Sequence, residues 1–303
     1  MSNKKVTILK EAEGNVLSSV KEGVVPPLPD VMLEPLVRAT LLEDLGRAGD
    51  LTTDAMVSRT EQAELRIVAR EAGVLAGLDL ARLAFRLLDP TIHFEACVSD
   101  GANLLPGTPI AIVKGSARSI LTAERTALNF LGHLSGVASA TASIARAIAP
   151  YGTQLTCTRK TIPGLRALQK YAVRVGGGRN HRYGLDDAVL IKDNHIAIAG
   201  GLRVAVEKAR QYIGHLVSIE VEVDTLEQLQ EALDLGVDCV LLDNMELAVL
   251  REAVELVAGR ATTEASGRIT PETAVEIARC GVDRIAVGWI THSAKVLDIG
   301  LDA

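Results

Sequence analysis

The sequence predicts an α/β protein: an incomplete, open α/β barrel of TIM type preceded by a smaller α+β domain. Three observations carry this. After Tyr151 six apolar runs each end in polar residues: "QLTCTRK", "AVLIKDN", "SIEVEVD", "CVLLDN", "TTEASG" and "RIAVGW". Between the later runs lie helical patterns that stop at glycine: "TLEQLQEALDLG", "MELAVLREAVELVAG" and "TPETAVEIARCG". The strand ends recur at intervals of roughly 20–30 residues, the period of βα units. Strands alternating with helices form a parallel sheet, and a run of six units predicts a barrel. A doubly wound open sheet is the rival, weakened because no GxGxxG follows the first strand.

Taken in order, residues 1–25 are polar, lack strong periodicity and read as a flexible extension ending at "VVPPLP". They contain no apolar stretch of a secretory signal. Residues 26–128 read as the α+β domain. An amphipathic helix spans Leu28 to about Leu45, and "GRAGDLTTD" reads as a polar turn. "AELRIVAREAGVLAG" and "IHFEACVSDGANLLPGTPIAIVKGSAR" read as short strands joined by Gly and Pro turns, with the helical "LDLARLAFRLLD" between them. The pattern "SILTAERTALNFLGHLSGVASATASIARAIAP" predicts a long helix bridging two domains, with a bend at Gly132 and Gly136. The barrel then occupies residues 129–295. Thr225 with Gln228 has capping-box spacing, and Thr270 before Pro271 is an N-cap followed by proline at the first helical position.

Composition narrows the function. The chain is 48% hydrophobic with net charge −6, and its 3% aromatics and acidic balance argue against a nucleic-acid binder. No apolar run approaches the roughly 20 residues of a membrane span. Cys97, Cys157, Cys239 and Cys280 lack metal-ligand or CxxC spacing. Most sit in apolar or small-residue surroundings, which predicts buried free thiols and a cytoplasmic location. Against the acidic background, residues 156–195 hold eight Lys and Arg and three acids. That concentration fits a compact site for a small anion.

A barrel of this type carries its active site at the C-terminal strand ends. The six ends supply Thr158, Arg159 and Lys160; Lys192, Asp193 and Asn194; Glu220 and Glu222; Asp243; Ser266 and Gly267; and Gly288. Alternation in "SIEVEV" turns both glutamates into the barrel, with Glu222 nearest the mouth. His181 and Arg182 join from the glycine-rich connection. Cations suit a carboxylate-bearing substrate. Small residues after the last two strands open backbone amides to a phosphate, and the two acids beside it suit Mg²⁺. This describes an enzyme acting on two anionic small molecules, one of them phosphorylated. Blander readings stand beside it. A single cation at a strand end is more often a surface charge, and His181 or His195 alone more often structural. Gly176–Gly178 lacks the Lys-Ser/Thr of a phosphate loop and reads as a flexible turn. Lys160 or Lys192 as a Schiff-base nucleophile leaves an aldolase-like barrel open.

"TRKTIPGLRALQKYAVRVGGGRNHRYGL" followed by "LIKDNH" resembles the signature of the quinolinate phosphoribosyltransferases. "ERTALNFLGHLSGVAS", "IEVEVDTLEQL", "LLDN", "EASG" and "VGWITHSAKVLDIGLD" resemble further family segments, in order, from about residue 28 to the C-terminus. The resemblance implies transfer of the phosphoribosyl group of phosphoribosyl pyrophosphate (PRPP) to quinolinate with decarboxylation, giving nicotinate mononucleotide, CO2 and pyrophosphate in NAD biosynthesis, with Mg²⁺. It implies that residues 296–303 return to the first domain, and a homodimer sharing Arg125 across the interface. Carried over, Thr158, Arg159, Lys160, His181, Arg182 and Lys192, with the partner's Arg125, would hold quinolinate. Glu222 and Asp243 would face the ribose hydroxyls and the Mg²⁺ bound through PRPP. Ser266, Gly267, Arg268, Val287, Gly288 and Trp289 would surround the 5-phosphate. Lys160, Lys192, Glu222 and Asp243 are the implied catalytic set. Cys157 replaces a common Asp, Arg268 a common Asn, and Trp289 a usually small residue. A paralogue acting on another pyridine or aromatic carboxylate, or a non-catalytic binding paralogue, is the nearest alternative.

Overall fold

A computed structural model describes residues 25–303, so the extension read over residues 1–25 lies outside the described residues but for Val25. Helix α1 (Asp30–Leu45) buries Leu33, Val37 and Leu41. The predicted polar turn contains a short helix, α2 (Leu51–Met56). It forms because Asp50 caps it, Oδ1 accepting from the Thr53 amide at 2.9 Å.

The smaller unit is an antiparallel sheet of β1 (Gln62–Ala69), β3 (His93–Ala96), β5 (Pro109–Ser116) and β12 (Ile299–Asp302), in the order β12-β1-β5-β3. A two-stranded pair, β2 (Gly73–Val74) and β4 (Asn103–Leu104), lies beside it. The C-terminal strand thus returns to the N-terminal sheet. Helix α3 (Leu78–Leu88) buries Leu80, Leu83 and Phe85 in this unit. Each such side chain contributes about 1.5–3 kcal/mol of apolar burial.

Helix α4 (Ala117–Ile148) runs unbroken from this sheet into the barrel. Gly132 and Gly136 form a notch in it: a Cβ at Gly132 would lie 2.9 Å from the Leu297 carbonyl, and one at Gly136 would collide with that of Lys295. The C-terminal segment crosses α4 there.

The barrel strands are β6 (Gln154–Thr156), β7 (Val189–Ile191), β8 (Ile219–Val223), β9 (Cys239–Asp243), β10 (Thr262–Ser266) and β11 (Arg284–Ala286). They form one parallel sheet in the order β6-β11-β10-β9-β8-β7. Strands β6 and β7 follow one another in sequence yet occupy opposite edges, so the barrel is open between them. Its helices are α5 (Arg166–Val175), α6 (Asp193–Ala199), α7 (Leu202–Tyr212), α8 (Leu226–Asp234), α9 (Leu247–Val257), α10 (Pro271–Ala278) and α11 (Trp289–His292). Thr225 and Thr270 cap α8 and α10 as their spacing predicts.

The opening is partly filled by the segment after α5. Arg179 pairs beside β6, its amide donating to Leu155 O at 2.7 Å and its carbonyl accepting from the Cys157 amide at 3.2 Å. Gly176–Gly178 forms a turn, as its sequence predicts. It closes α5, with Gly177 at φ +87° and Gly178 N bonded to Val173 O at 2.9 Å. A Cβ at Gly176 or Gly178 would press into Thr141 of α4. The cysteines are all free thiols, but only Cys157 and Cys280 are buried; Cys239 is half-buried and Cys97 exposed. No described helix is long and apolar enough to cross a membrane.

Candidate active site

The strand ends converge on a cavity of about 360 Å³, lined by Thr158, Arg159, Lys160, His181, Arg182, Lys192, Glu222, Asp243, Glu264 and Ser266 among others. A neighbouring space of about 350 Å³ shares Thr158, Lys160, Asp243 and Ser266 and adds Gly267, Arg268, Val287, Gly288 and Trp289. The structure therefore brings together every residue predicted to bind substrate or to act in catalysis except one, while Asp193, Asn194 and Glu220 of the strand ends line neither space. Arg125 lies exposed on α4 and lines neither space.

The first space is cationic at its walls. Arg159 and Arg182 each bury an Nε with no hydrogen-bond partner. Burial, then the charge of Arg159, hold the Arg182 guanidinium below its ordinary pKa. Among the described residues it makes one hydrogen bond, to Ala188 O, at 3.0 Å from Nη1. Lys192 caps this half from β7, its Nζ bonded to Glu222 Oε2. That contact occupies the Lys192 Nζ, which a Schiff-base nucleophile would need free. His195 is structural: its Nδ1 accepts from the Lys192 amide at 2.9 Å and fixes the start of α6.

Below lies an acid–histidine cluster. Both β8 glutamates face the interior, as the alternation predicts. Glu222 reaches the cavity, while Glu220 sits deeper and accepts from His181 Nε2 at 2.6 Å. Glu264 Oε1 lies 3.8 Å from the same nitrogen and has no hydrogen-bond partner. Burial opposes a charge on His181, but the bond to Glu220 and the charges of Glu264 and Glu220 raise its pKa. Burial, then the charge of Glu220, push the Glu264 carboxyl up to about 7. Glu264 escaped the sequence reading because it lies two residues before the strand end, inside "TTEASG".

These shifts fix a sign. Glu264 titrates higher in the native state than its ordinary 4.5, so the folded protein binds the extra proton. The stability this confers is complete below pH 4.5 and is lost as pH rises through about 7. Glu264→Gln should therefore flatten the fall in stability between pH 5 and pH 8, by on the order of 1–3 kcal/mol. Urea unfolding of both proteins across that range checks it; parallel curves would remove Glu264 as the source.

The second space is walled by backbone. Gly267 adopts φ +112°, and a Cβ there would lie 2.9 Å from Asn244 Cα. Thr291 Oγ1 ties the Lys160 carbonyl to α11 at 2.7 Å. Trp289 Nε1 donates to Ile269 O at 3.0 Å, so the indole braces the wall as well as presenting backbone. The Arg268 side chain is exposed.

Comparison with known proteins decides the family. Models of the quinolinate phosphoribosyl transferase N-terminal and C-terminal domains match residues 50–135 and 137–302. The chain belongs to the quinolinate phosphoribosyltransferase family. A probable nicotinate-nucleotide pyrophosphorylase [carboxylating] of Bacillus subtilis is 42% identical over 272 residues, covering 90% of this chain and 93% of that protein. A decarboxylating quinolinate phosphoribosyltransferase of Nicotiana tabacum is 40% identical over 294 residues, covering 91% and 83%. The crystal structure of NadC from Streptococcus pyogenes superposes with a TM-score of 0.89 at 41% identity, covering 92% of this chain and 98% of that one.

The quinolinate phosphoribosyltransferase signature expected at position 268, an Asn, would suit the backbone there. Arg268 adopts φ +44°, a left-handed conformation that asparagine tolerates better than other side chains. Arg268→Asn should raise stability by about 0.5–1 kcal/mol, read as a higher urea midpoint with unchanged slope. A lower midpoint would mean that the arginine contributes a stabilising contact.

Proposed function

We propose that the cationic space holds quinolinate and the backbone-walled space holds the phosphoribosyl group of PRPP, as in a decarboxylating quinolinate phosphoribosyltransferase of NAD biosynthesis. The observation that carries this is the pair of buried, unpartnered Nε atoms of Arg159 and Arg182 at one cavity wall. Two mutually repelling guanidiniums favour a ligand with two carboxylates.

In this reading Lys160 and Lys192 orient the carboxylates, and Thr158 closes the shared wall. The ring nitrogen attacks C1 of the ribose as pyrophosphate leaves. Positive charge develops on C1 and the ring oxygen, where Glu222 and Asp243 stabilise it. Holding the two anions in register supplies much of the rate. The amides around Gly267 and Gly288 hold the 5-phosphate. Decarboxylation follows at ring C2: the C–C bond to the carboxylate breaks, the cationic ring nitrogen stabilises the electron pair, and a proton takes its place. Asp243, which lines both spaces, is the hard oxygen donor best placed beside a Mg²⁺ carried by PRPP; Glu222, paired with Lys192, is the weaker one. When bound, that ion neutralises the departing pyrophosphate.

The working unit in this reading is a homodimer whose partner supplies Arg125. Two features support it. Arg125 is exposed on α4, and large apolar side chains stand exposed on the same domain, Val31, Leu51, Met56 and Leu121, and on the barrel at Leu185 and Ile198. Four free thiols fit a reducing cytoplasm. The deciding experiment is release of CO2 from carboxyl-labelled quinolinate, dependent on PRPP and Mg²⁺, with nicotinate as control. Transfer to nicotinate without CO2 release from quinolinate would overturn the assignment.

A further inference from the structure

Lys170 is the most deeply buried charge in the described chain. It sits on α5, and its relative exposure is 0%. No carboxylate pairs with it among the described residues. Its Nζ donates instead to Cys157 Sγ at 3.1 Å, His181 O at 2.9 Å and Arg182 O at 3.1 Å. An ammonium has three protons to donate, and three acceptors meet it. The Tyr183 ring lies 5.0 Å away, adding a cation–π contact.

The acceptors are not scattered. His181 and Arg182 are consecutive residues of the segment that fills the barrel opening, and both project into the cationic space. Arg166, one turn earlier on α5, donates to the next carbonyl, Tyr183 O, at 3.1 Å. Two cations of one helix therefore hold three successive carbonyls. Cys157, the last acceptor, stands just beyond β6 and passes a bond on from its own Sγ to Asn180 Oδ1 at 3.3 Å. The Cys157 sulfur makes both contacts, accepting from Lys170 and donating to Asn180.

The segment needs such anchoring. It has no strand on its far side, since β6 and β7 are not paired, and Arg182 Nη1 makes a single bond, to Ala188 O. Without Lys170, two inward carbonyls would lack partners, and the backbone carrying both side chains would be free to turn them elsewhere. A displacement of about 1 Å at a substrate-orienting group is enough to cost about a hundredfold.

We propose that Lys170, with Cys157 as its third acceptor, is the positioning residue of the dicarboxylate clamp: it fixes the His181–Arg182 backbone to the end of β6 and so sets the geometry in which quinolinate is held. The inference rests on the proposed substrate. It also gives Cys157 a role: the thiol fills an acceptor position that a carboxylate would fill as well.

The test is steady-state kinetics on Lys170→Met and Cys157→Asp, with both substrates varied. Lys170→Met should raise the KM for quinolinate at least about tenfold and leave that for PRPP within about threefold. Cys157→Asp retains an acceptor for Nζ and should keep the quinolinate KM within about threefold of wild type. Equal rises in both KM values for Lys170→Met would indicate a general structural role and overturn the proposal. So would a quinolinate KM in Cys157→Asp as high as in Lys170→Met, because the charge and not the anchoring would then be at work. If Lys170→Met does not fold, quinolinate binding to Cys157→Ala by calorimetry decides: about threefold weaker binding supports the proposal, and unchanged affinity sinks it. The wild-type protein in the same assay separates the two readings. No wild-type turnover of quinolinate defeats the proposed function, whereas normal wild-type turnover with an unaltered KM in Lys170→Met defeats only this inference.

Discussion

Arg182→Ala is expected to lower kcat/KM for quinolinate by roughly 30-fold to several-thousand-fold, equivalent to about 2–5 kcal/mol of transition-state binding. The size follows from the setting. The guanidinium is partly buried, its Nε has no partner, and Arg159 repels it. A carboxylate arriving there meets a donor already stripped of water and held by the backbone of the opening. Removing the arginine leaves one substrate carboxylate desolvated against nothing. Arg182→Lys should recover only a small part of the loss, since an ammonium keeps the charge but not the two parallel donors of the fork. The KM for PRPP should move little, because Arg182 lines only the first space. Near-normal kcat/KM at low quinolinate in Arg182→Ala would refute the clamp.

The same setting explains why the two halves of the site differ in construction. The half proposed for quinolinate is built from long side chains that need anchoring at their backbones. The half proposed for the phosphate is built from backbone itself, where Gly267 at φ +112° admits no Cβ and Gly288 lies close to Thr158 and Lys160. Substitutions should therefore act differently in each. Charge removal in the first half changes affinity for one substrate, whereas added bulk in the second deforms the wall.

What could be read in the sequence divides along physical lines. All six barrel strands were visible, because each is a short apolar run ending in polar residues. Their C-terminal ends pointed to most of the cavity-lining residues, because parallel βα units put every such end on one rim. Helix α5 was not visible as a helix. Leu168, Tyr171, Ala172 and Val175 do recur at helical spacing, but the cations interleaved with them, Arg166, Lys170 and Arg174, drew the segment into the reading of an anion site. The close contacts made at the glycines of α4 and of the triplet were not visible either. A glycine removed to let another backbone pass looks, in one dimension, like a glycine placed for flexibility. Lys170 and Glu264 were missed because their importance lies in what they face across the fold: three acceptors from two segments, and a histidine from the connection across the opening.

Arg125→Ala and Lys192→Ala, each inactive or nearly so alone, should regain activity when mixed and allowed to exchange subunits. Lys192 lines the cavity of its own chain, while Arg125 is exposed on α4 and lines neither space. If each site takes its arginine from the partner, a mixed dimer holds one site with both changes and one with neither. Random exchange of equal amounts makes about half of all dimers mixed, so about a quarter of all sites are intact. Recovery should therefore approach about a quarter of wild-type activity, with wild-type KM values for both substrates, since the restored sites are unaltered. That last point separates sharing from mere stabilisation. A partner that only steadied the fold would give intermediate KM values, and one that contributed nothing would give no recovery despite exchange shown by mass spectrometry. Either result would move Arg125 out of the site and leave the cations of a single chain to bind both carboxylates.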